Sequence, residues 1–160
     1  MCLKKMVMET DKISVITVCW NCVNEIEATI KSVLSQTYPN VEYLVVDGAS
    51  TDGTLSVISK YKDGIAKFIS EPDKGIYNAM NKGVGMATGK WCIFMNAGDK
   101  FVSNSVLSEM FALNHPQTET KVYYGNTTFT YEDGSKRSLK AVPVFPTILR
   151  CQPFCHQSVF

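Results

Sequence analysis

The sequence predicts an α/β fold in which a largely parallel sheet is covered by helices. Three observations carry this. Apolar runs rich in β-branched residues, at Ile13–Cys19, Val41–Val46 and Trp91–Met95, have the length of buried strands. Between them lie segments whose apolar residues recur at helical spacing, and this alternation is the signature of βαβ units. At 160 residues and 45% hydrophobic content, the chain has room for one domain with a real core.

The elements follow in order. After the first strand, Asn24 is expected to cap a helix, with Glu27 three residues on as in a capping box. Ile26, Ile30, Val33 and Leu34 supply its apolar face, and Tyr38-Pro39-Asn40 ends it. The second strand leads into the loop after Asp47, and Leu55, Ile58 and Tyr61 mark a helix closing near Gly64. Ala66–Ile69 reads as a short third strand, and Ile76, Met80 and Val84 as a helix over about Gly75–Met86. Thr88-Gly89-Lys90 turns the chain into the strand Trp91–Met95, and Ser103 is placed to cap a helix carrying Val106, Leu107, Met110 and Phe111. Val122–Tyr124 reads as a strand, and Thr127–Tyr131 with Lys136–Val142 as a hairpin turning at Glu132-Asp133-Gly134-Ser135.

Several function classes are disfavoured at once. The net charge of +1, with scattered lysines, gives no basis for binding nucleic acid. No apolar run approaches the roughly 18 residues a membrane span needs. The first eight residues are too short and too soon polar for a secretory signal, so a cytoplasmic protein is expected. The six cysteines do not complete a zinc-finger set and are read as structural or incidental thiols. Gly83-x-Gly85 with Gly89 has the wrong spacing for a dinucleotide fingerprint and follows a helix rather than a strand; it is read as a helix end and turn. Asn126-Thr127-Thr128 is a formal glycosylation sequon and is treated as chance.

Right-handed crossovers put all the parallel strand C-termini on one rim, where ligands of open α/β sheets bind. That rim collects Cys19–Asn21, Asp47–Asp52, Glu71–Lys74 and Asn96–Asp99. A strand-end carboxylate such as Asp47 is a strong charge-assisted acceptor for the N–H of a nucleobase, though a turn aspartate satisfying its own backbone explains it equally well. Asp52 reads better as a helix cap, as do Ser50 and Thr51. Asp99 can hold a divalent cation through oxygen, completed by pyrophosphate and water, or be a surface acid beside Lys100. Lys74 at a helix start opposes the helix dipole, which an anionic ligand there would explain; a solvated loop is the plain alternative. His156, between apolar residues, is read as a structural group.

Four ordered blocks resemble the family-2 glycosyltransferases of the GT-A fold: Thr29–Glu42, matching T-I-x-S-V-x-x-Q-T-Y-P-N-V-E; Val45–Thr54, matching V-V-D-G-x-S-T-D-G-T; Glu71–Gly83, matching E-x-D-K-G-I-Y-x-A-M-N-K-G; and Ala87–Asp99, matching A-T-G-K-W-x-x-F-x-N-A-G-D. The resemblance implies a GT-A-like (Rossmann-like) mostly parallel sheet with a C-terminal β-hairpin region. It divides the chain into an extension at 1–12, a nucleotide-sugar-binding core at 13–125 and the start of an acceptor side at 126–160. By the same resemblance Asp47 reads the base, Thr17, Cys19 and Asn21 cradle base and ribose, Asp52 shares their loop, and Asp73 and Lys74 lie near ribose and diphosphate. Asp99 resembles the final acid of a D-x-D-like metal motif and would hold Mg²⁺ or Mn²⁺. Asn96 stands at that motif's first acid, Asn78 where many relatives carry aspartate, and Asn126 where a Tyr-Gly-Asp version is common.

The implied function is inverting transfer of a sugar from a nucleoside-diphosphate sugar to a saccharide or lipid-linked acceptor, in surface-glycan assembly, with peripheral contact to the inner membrane face. Pro153–Phe160 resembles the stretch that enters the acceptor half, and family members usually continue past it. Their general base lies in that later part, so the catalytic base is expected beyond Phe160; no acid follows Asp133 here. The chain is therefore expected to be the donor-binding part of a longer enzyme, truncated before its catalytic base. Two other readings compete: a nucleotide-sugar-binding module without catalysis, and a sugar-phosphate nucleotidyltransferase. The latter needs a glycine-rich basic loop that Cys19-Trp20-Asn21-Cys22-Val23 does not offer.

Overall fold

The computed structural model describes residues 10–113, 126–131 and 133–140. Four parallel strands, β1 (Ile13–Cys19), β2 (Val41–Asp47), β3 (Lys67–Ser70) and β4 (Trp91–Phe94), form a sheet in the order β3-β2-β1-β4. The connections are α1 (Ile26–Leu34), α2 (Thr54–Ser59) with a short 3₁₀ turn at Lys62–Gly64, and α3 (Ile76–Met86). Helix α4 (Val106–Leu113) follows β4. A separate antiparallel pair, β5 (Thr127–Thr130) and β6 (Lys136–Leu139), turns at Gly134, whose φ of 79° suits a residue without a side chain. The predicted parallel sheet and hairpin are thus present. The strand expected at Val122–Tyr124 and the structural role expected of His156 lie outside the described residues.

The sheet is apolar on both faces, as a parallel sheet must be. Strand alternation sends Ile13, Val15, Tyr43, Val45 and Ile93 to one side, where they pack with Ile26, Ile30 and Val33 of α1, Ile58 of α2, and Leu107 and Phe111 of α4. Ile16, Val18, Leu44 and Val46 face the other way, onto Ala79 and Met80 of α3. On that side Gly83 lets α3 settle directly on Ile16 and Val46, because a Cβ there would collide with the Ile16 side chain. Gly83 is therefore a packing position within the last turn of α3, where its carbonyl accepts the N–H of the C-cap residue Ala87. Gly89 is a close approach too: a Cβ would lie 2.6 Å from the backbone nitrogen of Ser14.

At the N-terminal end of the sheet a buried carboxylate ties three segments together. Glu42 is 5% exposed. It accepts from Ser14 Oγ at 2.6 Å, Thr88 N–H at 2.8 Å, Thr88 Oγ1 at 2.8 Å and Lys12 Nζ at 3.1 Å. This knot fixes the α3–β4 connection to the start of β1.

Two predicted caps differ. Helix α1 starts at Ile26 with Glu25 as its N-cap residue and no side-chain cap. The turn before it closes on the Cys22 carbonyl, which accepts from the N–H groups of Glu25 and Ile26 at 3.0 Å, so Asn24 is not needed. Glu27 instead accepts the Tyr61 hydroxyl at 2.5 Å and pairs with Lys31 at 3.0 Å. Ser103 accepts the Ser105 N–H at 3.3 Å, one turn too early to cap α4; Gln36 Oε1 takes the Leu107 N–H at 3.1 Å.

Candidate functional site

The strand order sets the C-terminal rim. Backbone pairing continues past the strands: Gly48 N–H donates to Cys19 O at 2.9 Å, Glu71 N–H to Asp47 O at 3.0 Å, and Ala97 N–H to Val18 O at 3.2 Å. The four loops predicted to be functional therefore stand side by side, with the β1 loop between those of β2 and β4.

Asp47 is wholly buried at the centre. Its Oδ2 accepts Ser50 N–H at 2.9 Å and Ser70 Oγ at 2.7 Å; its Oδ1 accepts the Ser50 hydroxyl and, at 3.6 Å, the Cys19 thiol. Both oxygens are taken by the protein, so this carboxylate braces the loops from beneath. Asp52 braces as well, accepting Val23 N–H at 3.0 Å, Thr54 N–H at 3.0 Å and Thr54 Oγ1 at 2.6 Å. The Thr54 hydroxyl bond leads the causes that hold the Asp52 carboxyl below its usual range.

Asn21 joins the two loops. It takes a left-handed φ of 47°, donates its N–H to Ser50 Oγ at 2.8 Å and accepts Thr51 N–H at 2.8 Å. Thr17, expected to cradle the base and ribose, does not reach the rim. Alternation turns it into the α1-side core, where its hydroxyl donates to Met95 O at 2.8 Å and meets the Tyr43 hydroxyl at 3.0 Å.

Cys19 and Cys22 form a Cys-x-x-Cys segment that the reading as incidental thiols passes over, although the spacing is plain in the sequence. Both are free thiols, close enough for each to perturb the other. That contact raises the buried Cys19 and lowers Cys22. Trp20, between them, is the residue sequence reasoning missed: it is 67% exposed at the end of β1.

Across from it, Asp73 Oδ1 accepts the Gly75 N–H at 2.8 Å. No hydrogen bond from a described residue reaches Asp73 Oδ2. Lys74 is exposed, directly ahead of Gly75, the N-cap residue of α3; its N–H donates to Asn78 Oδ1 at 3.2 Å. Lys82 ties this loop down through Glu71 at 2.9 Å and Pro72 O at 2.9 Å.

The β4 loop is a tight turn closed by Asp99 N–H on Asn96 O at 2.9 Å. Thr29 of α1 pins it, accepting Gly98 N–H at 3.0 Å and donating to Asp99 O at 2.9 Å. Within this turn Asn96 Oδ1 is buried and has no hydrogen-bond partner. A buried oxygen left so is costly unless a ligand completes it. Oxygen donors on one turn suit a hard divalent cation. No cluster of three or more His, Cys, Asp or Glu side chains able to hold a metal occurs among the described residues. A cleft of about 190 Å³ lined by Val33, Tyr38, Val41 and Gly64 lies at the start of β2, away from all of these groups. The described residues end at Lys140, so the approach to Phe160, and with it the region where the catalytic base is expected, lies outside them. No general base is assigned among the described residues.

Residues 14–150 match the family described as Glycosyl transferase family 2. The chain belongs to that family. It is 31% identical over 121 residues to the UDP-Glc:alpha-D-GlcNAc-diphosphoundecaprenol beta-1,3-glucosyltransferase WfaP of Escherichia coli, covering 75% of this chain and 47% of WfaP. It is 27% identical over 159 residues to a PGL/p-HBAD biosynthesis glycosyltransferase of Mycobacterium tuberculosis, covering 96% of this chain and 60% of that protein. Among solved structures, the mannosyltransferase PcManGT of Pyrobaculum calidifontis in complex with GDP-Man and Mn²⁺ superposes with a TM-score of 0.62 at 25% identity, over 73% of this chain and 34% of that one. TarS 1–349 of S. aureus in complex with UDP-GlcNAc gives 0.58 at 26%, over 63% and 30%. This family-2 glycosyltransferase chain thus spans about half the length of the curated relatives it matches. Among its described residues no helix is long and apolar enough to cross a membrane.

Proposed function

We propose that this chain is the donor-binding part of a divalent-metal-dependent, inverting glycosyltransferase whose general base lies beyond Phe160. It would take a sugar from a nucleoside-diphosphate sugar to a saccharide or lipid-linked acceptor in polysaccharide or surface-glycan assembly, in the cytoplasm and against the inner membrane face when the acceptor is lipid-linked. The observation that carries the reading is the unpartnered Asn96 Oδ1 in the turn that also bears Asp99, held beside the β1 rim. Residues 13–125 serve as the core and 126–160 as the beginning of the acceptor side, after an extension at 1–12.

Asn96 and Asp99 would hold Mg²⁺ or Mn²⁺. When bound, the ion neutralises the charge that gathers on the departing diphosphate. Lys74 and the N-terminus of α3 add positive potential on the opposite side of the rim. Asn21 and Asp52 keep the loop after β2 in shape, and Cys19 with Asp47 supports it from within. A second reading, donor binding without transfer, is supported by the acids themselves: Asp47 and Asp52 are committed to loop bracing and are not free to take a proton from an acceptor hydroxyl.

The test is calorimetric titration of UDP-, GDP- and dTDP-sugars with and without Mn²⁺, followed by assay of donor turnover. Mn²⁺-dependent binding with transfer supports the first reading, and binding without transfer the second. No binding of any nucleoside diphosphate sinks both.

A further inference from the structure

The Cys-x-x-Cys segment carries a chemistry that sugar transfer does not call on. Cys19 closes β1, and its carbonyl accepts the Gly48 N–H at 2.9 Å. Cys22 donates its N–H to Thr54 Oγ1 at 2.9 Å, and its carbonyl accepts the N–H groups of Glu25 and Ile26 at 3.0 Å. One cysteine is therefore tied to the start of the loop after β2 and the other to its end. Between them the chain bends at Trp20 and Asn21, and the left-handed Asn21 is pinned to Ser50 and Thr51 at 2.8 Å. This path holds the two thiols at one end of the strand, close enough for each to perturb the other. The pair is unequal. Cys19 is buried, and its thiol donates to Asp47 Oδ1 at 3.6 Å. Cys22 is half-buried and the more accessible, and the neighbouring Cys19 draws its thiol below the usual range. An accessible, more acidic thiol beside a buried one is the arrangement of an attacking and a resolving cysteine.

We propose that Cys19 and Cys22 are a reversible redox pair, closed to a disulfide by a small disulfide such as oxidised glutathione, and that closing it weakens the donor site. The effect on binding rests on the donor-site reading above; the disulfide itself does not. The Cys22 thiolate attacks one sulfur of glutathione disulfide. The glutathione S–S bond breaks, a mixed disulfide forms on Cys22, and one glutathione leaves as a thiolate that takes up a proton. Cys19 then gives its proton to water and attacks Cys22 Sγ, and the second glutathione leaves in the same way. Two protein thiols have lost two electrons, and one glutathione disulfide has become two thiols. The consequence for the rim follows from the lost proton. A disulfide sulfur cannot donate, so Asp47 Oδ1 loses the Cys19 thiol. The new bond also acts on the bend at Trp20 and Asn21, the segment that clasps the loop after β2. In a reducing compartment such a disulfide is transient, as a sensor requires.

The experiment exposes the full chain to glutathione disulfide and maps its thiols by tryptic peptide mass. Calorimetry with Mn²⁺ then titrates UDP, GDP and dTDP before oxidation, after it, and after dithiothreitol. Cleavage after Lys12 and Lys31 leaves both cysteines on residues 13–31, apart from Cys92, so the pair registers as the loss of two hydrogens from that peptide. Whichever nucleotide the reduced chain takes is expected to bind about fivefold more weakly after oxidation, with dithiothreitol restoring it. Cys22→Ser is expected to bind like the reduced parent and to keep its affinity under glutathione disulfide. Cys19→Ser, which retains a hydroxyl for Asp47, is expected to trap glutathione on Cys22 as a mixed disulfide. A peptide 13–31 that stays reduced overturns the redox pair. An oxidised chain that binds as the reduced one does, or a Cys22→Ser variant that weakens to the same extent, overturns its action on the donor site. A reduced parent that binds none of the three nucleotides overturns the donor site, while the peptide map still decides whether the disulfide forms.

Discussion

Thr51 donates its backbone N–H to Asn21 Oδ1 at 2.8 Å, and Asn21 returns its own N–H to Ser50 Oγ at 2.8 Å. This reciprocal clasp is what makes the loops after β1 and β2 a single wall. Asn21 holds it at a φ of 47°, a conformation asparagine tolerates better than most residues. Asn21→Ala loses the acceptor and adds backbone strain, for an expected cost of about 2 kcal/mol. Asn21→Gly loses only the acceptor, at about 1 kcal/mol. Urea denaturation of both variants separates the two contributions.

Asp47→Ala strands four donors, the Ser50 N–H, the hydroxyls of Ser50 and Ser70 and the Cys19 thiol, around an emptied site. The expected loss of stability is about 3 kcal/mol. Nucleotide affinity should fall with it, whichever base is used. A variant with parental melting temperature and weakened nucleotide binding would instead make Asp47 a direct ligand contact.

The Glu42 knot makes stability depend on acid. Burial alone would raise this carboxyl; the Ser14 hydroxyl, the Thr88 N–H and hydroxyl and the Lys12 ammonium overcome that and hold it at about 2, against 4.5 ordinarily. Because the folded value is the lower one, its stabilisation is fully present above pH 4.5 and drains away as pH falls toward 2. It is worth at most about 3 kcal/mol. Glu42→Gln should lower stability at pH 7 and flatten the acid limb of a stability–pH curve measured between about pH 6 and 2.5.

Gly83 and Gly85 lie on one helix and should respond oppositely. Gly83→Ala drives a methyl into Ile16 and is expected to cost roughly 1–3 kcal/mol. A Cβ at Gly85 meets nothing within 4 Å, so Gly85→Ala should stabilise by about 0.5–1 kcal/mol through helix propensity. Thermal melts of the two variants check the contrast.

Asp99→Ala should weaken nucleotide-sugar binding only when Mn²⁺ is present, and Asn96→Ala should do so to a lesser degree. Calorimetry with Mn²⁺ and with EDTA reads this directly. Identical metal dependence in the parent and Asp99→Ala removes Asp99 from the site.

Much of the fold is legible in the sequence because strand and helix periods announce themselves: the runs at Ile13, Val41 and Trp91 and the helical spacing from Ile76 need no tertiary information. The caps are not, because Gln36, distant in sequence, rather than Ser103, supplies the acceptor for α4. The rim loops can be picked out from strand-end acids, yet the division of labour among them cannot. Whether Asp47 faces solvent or is consumed by Ser50 and Ser70 depends on β3 pairing beside it. Trp20 escapes notice since an exposed tryptophan looks the same in sequence as a core one. Thr17 reads as rim and is core because it lies two residues short of the end of β1, facing Tyr43 and Met95.

The central position of β1 shapes how this protein must be made. Its partners are β2, which begins at Val41, and β4, where Ile13 meets Trp91 and Ile16 meets Phe94. On a ribosome adding residues in order, the first strand can find one neighbour early, but its other edge stays open until the chain has been extended as far as Trp91. Contacts of that sequence separation close late and slowly. Until then the nascent chain carries an unpaired edge of isoleucine and valine, a template for wrong partners. The strand that anchors the finished sheet is thus the one most in need of protection during synthesis.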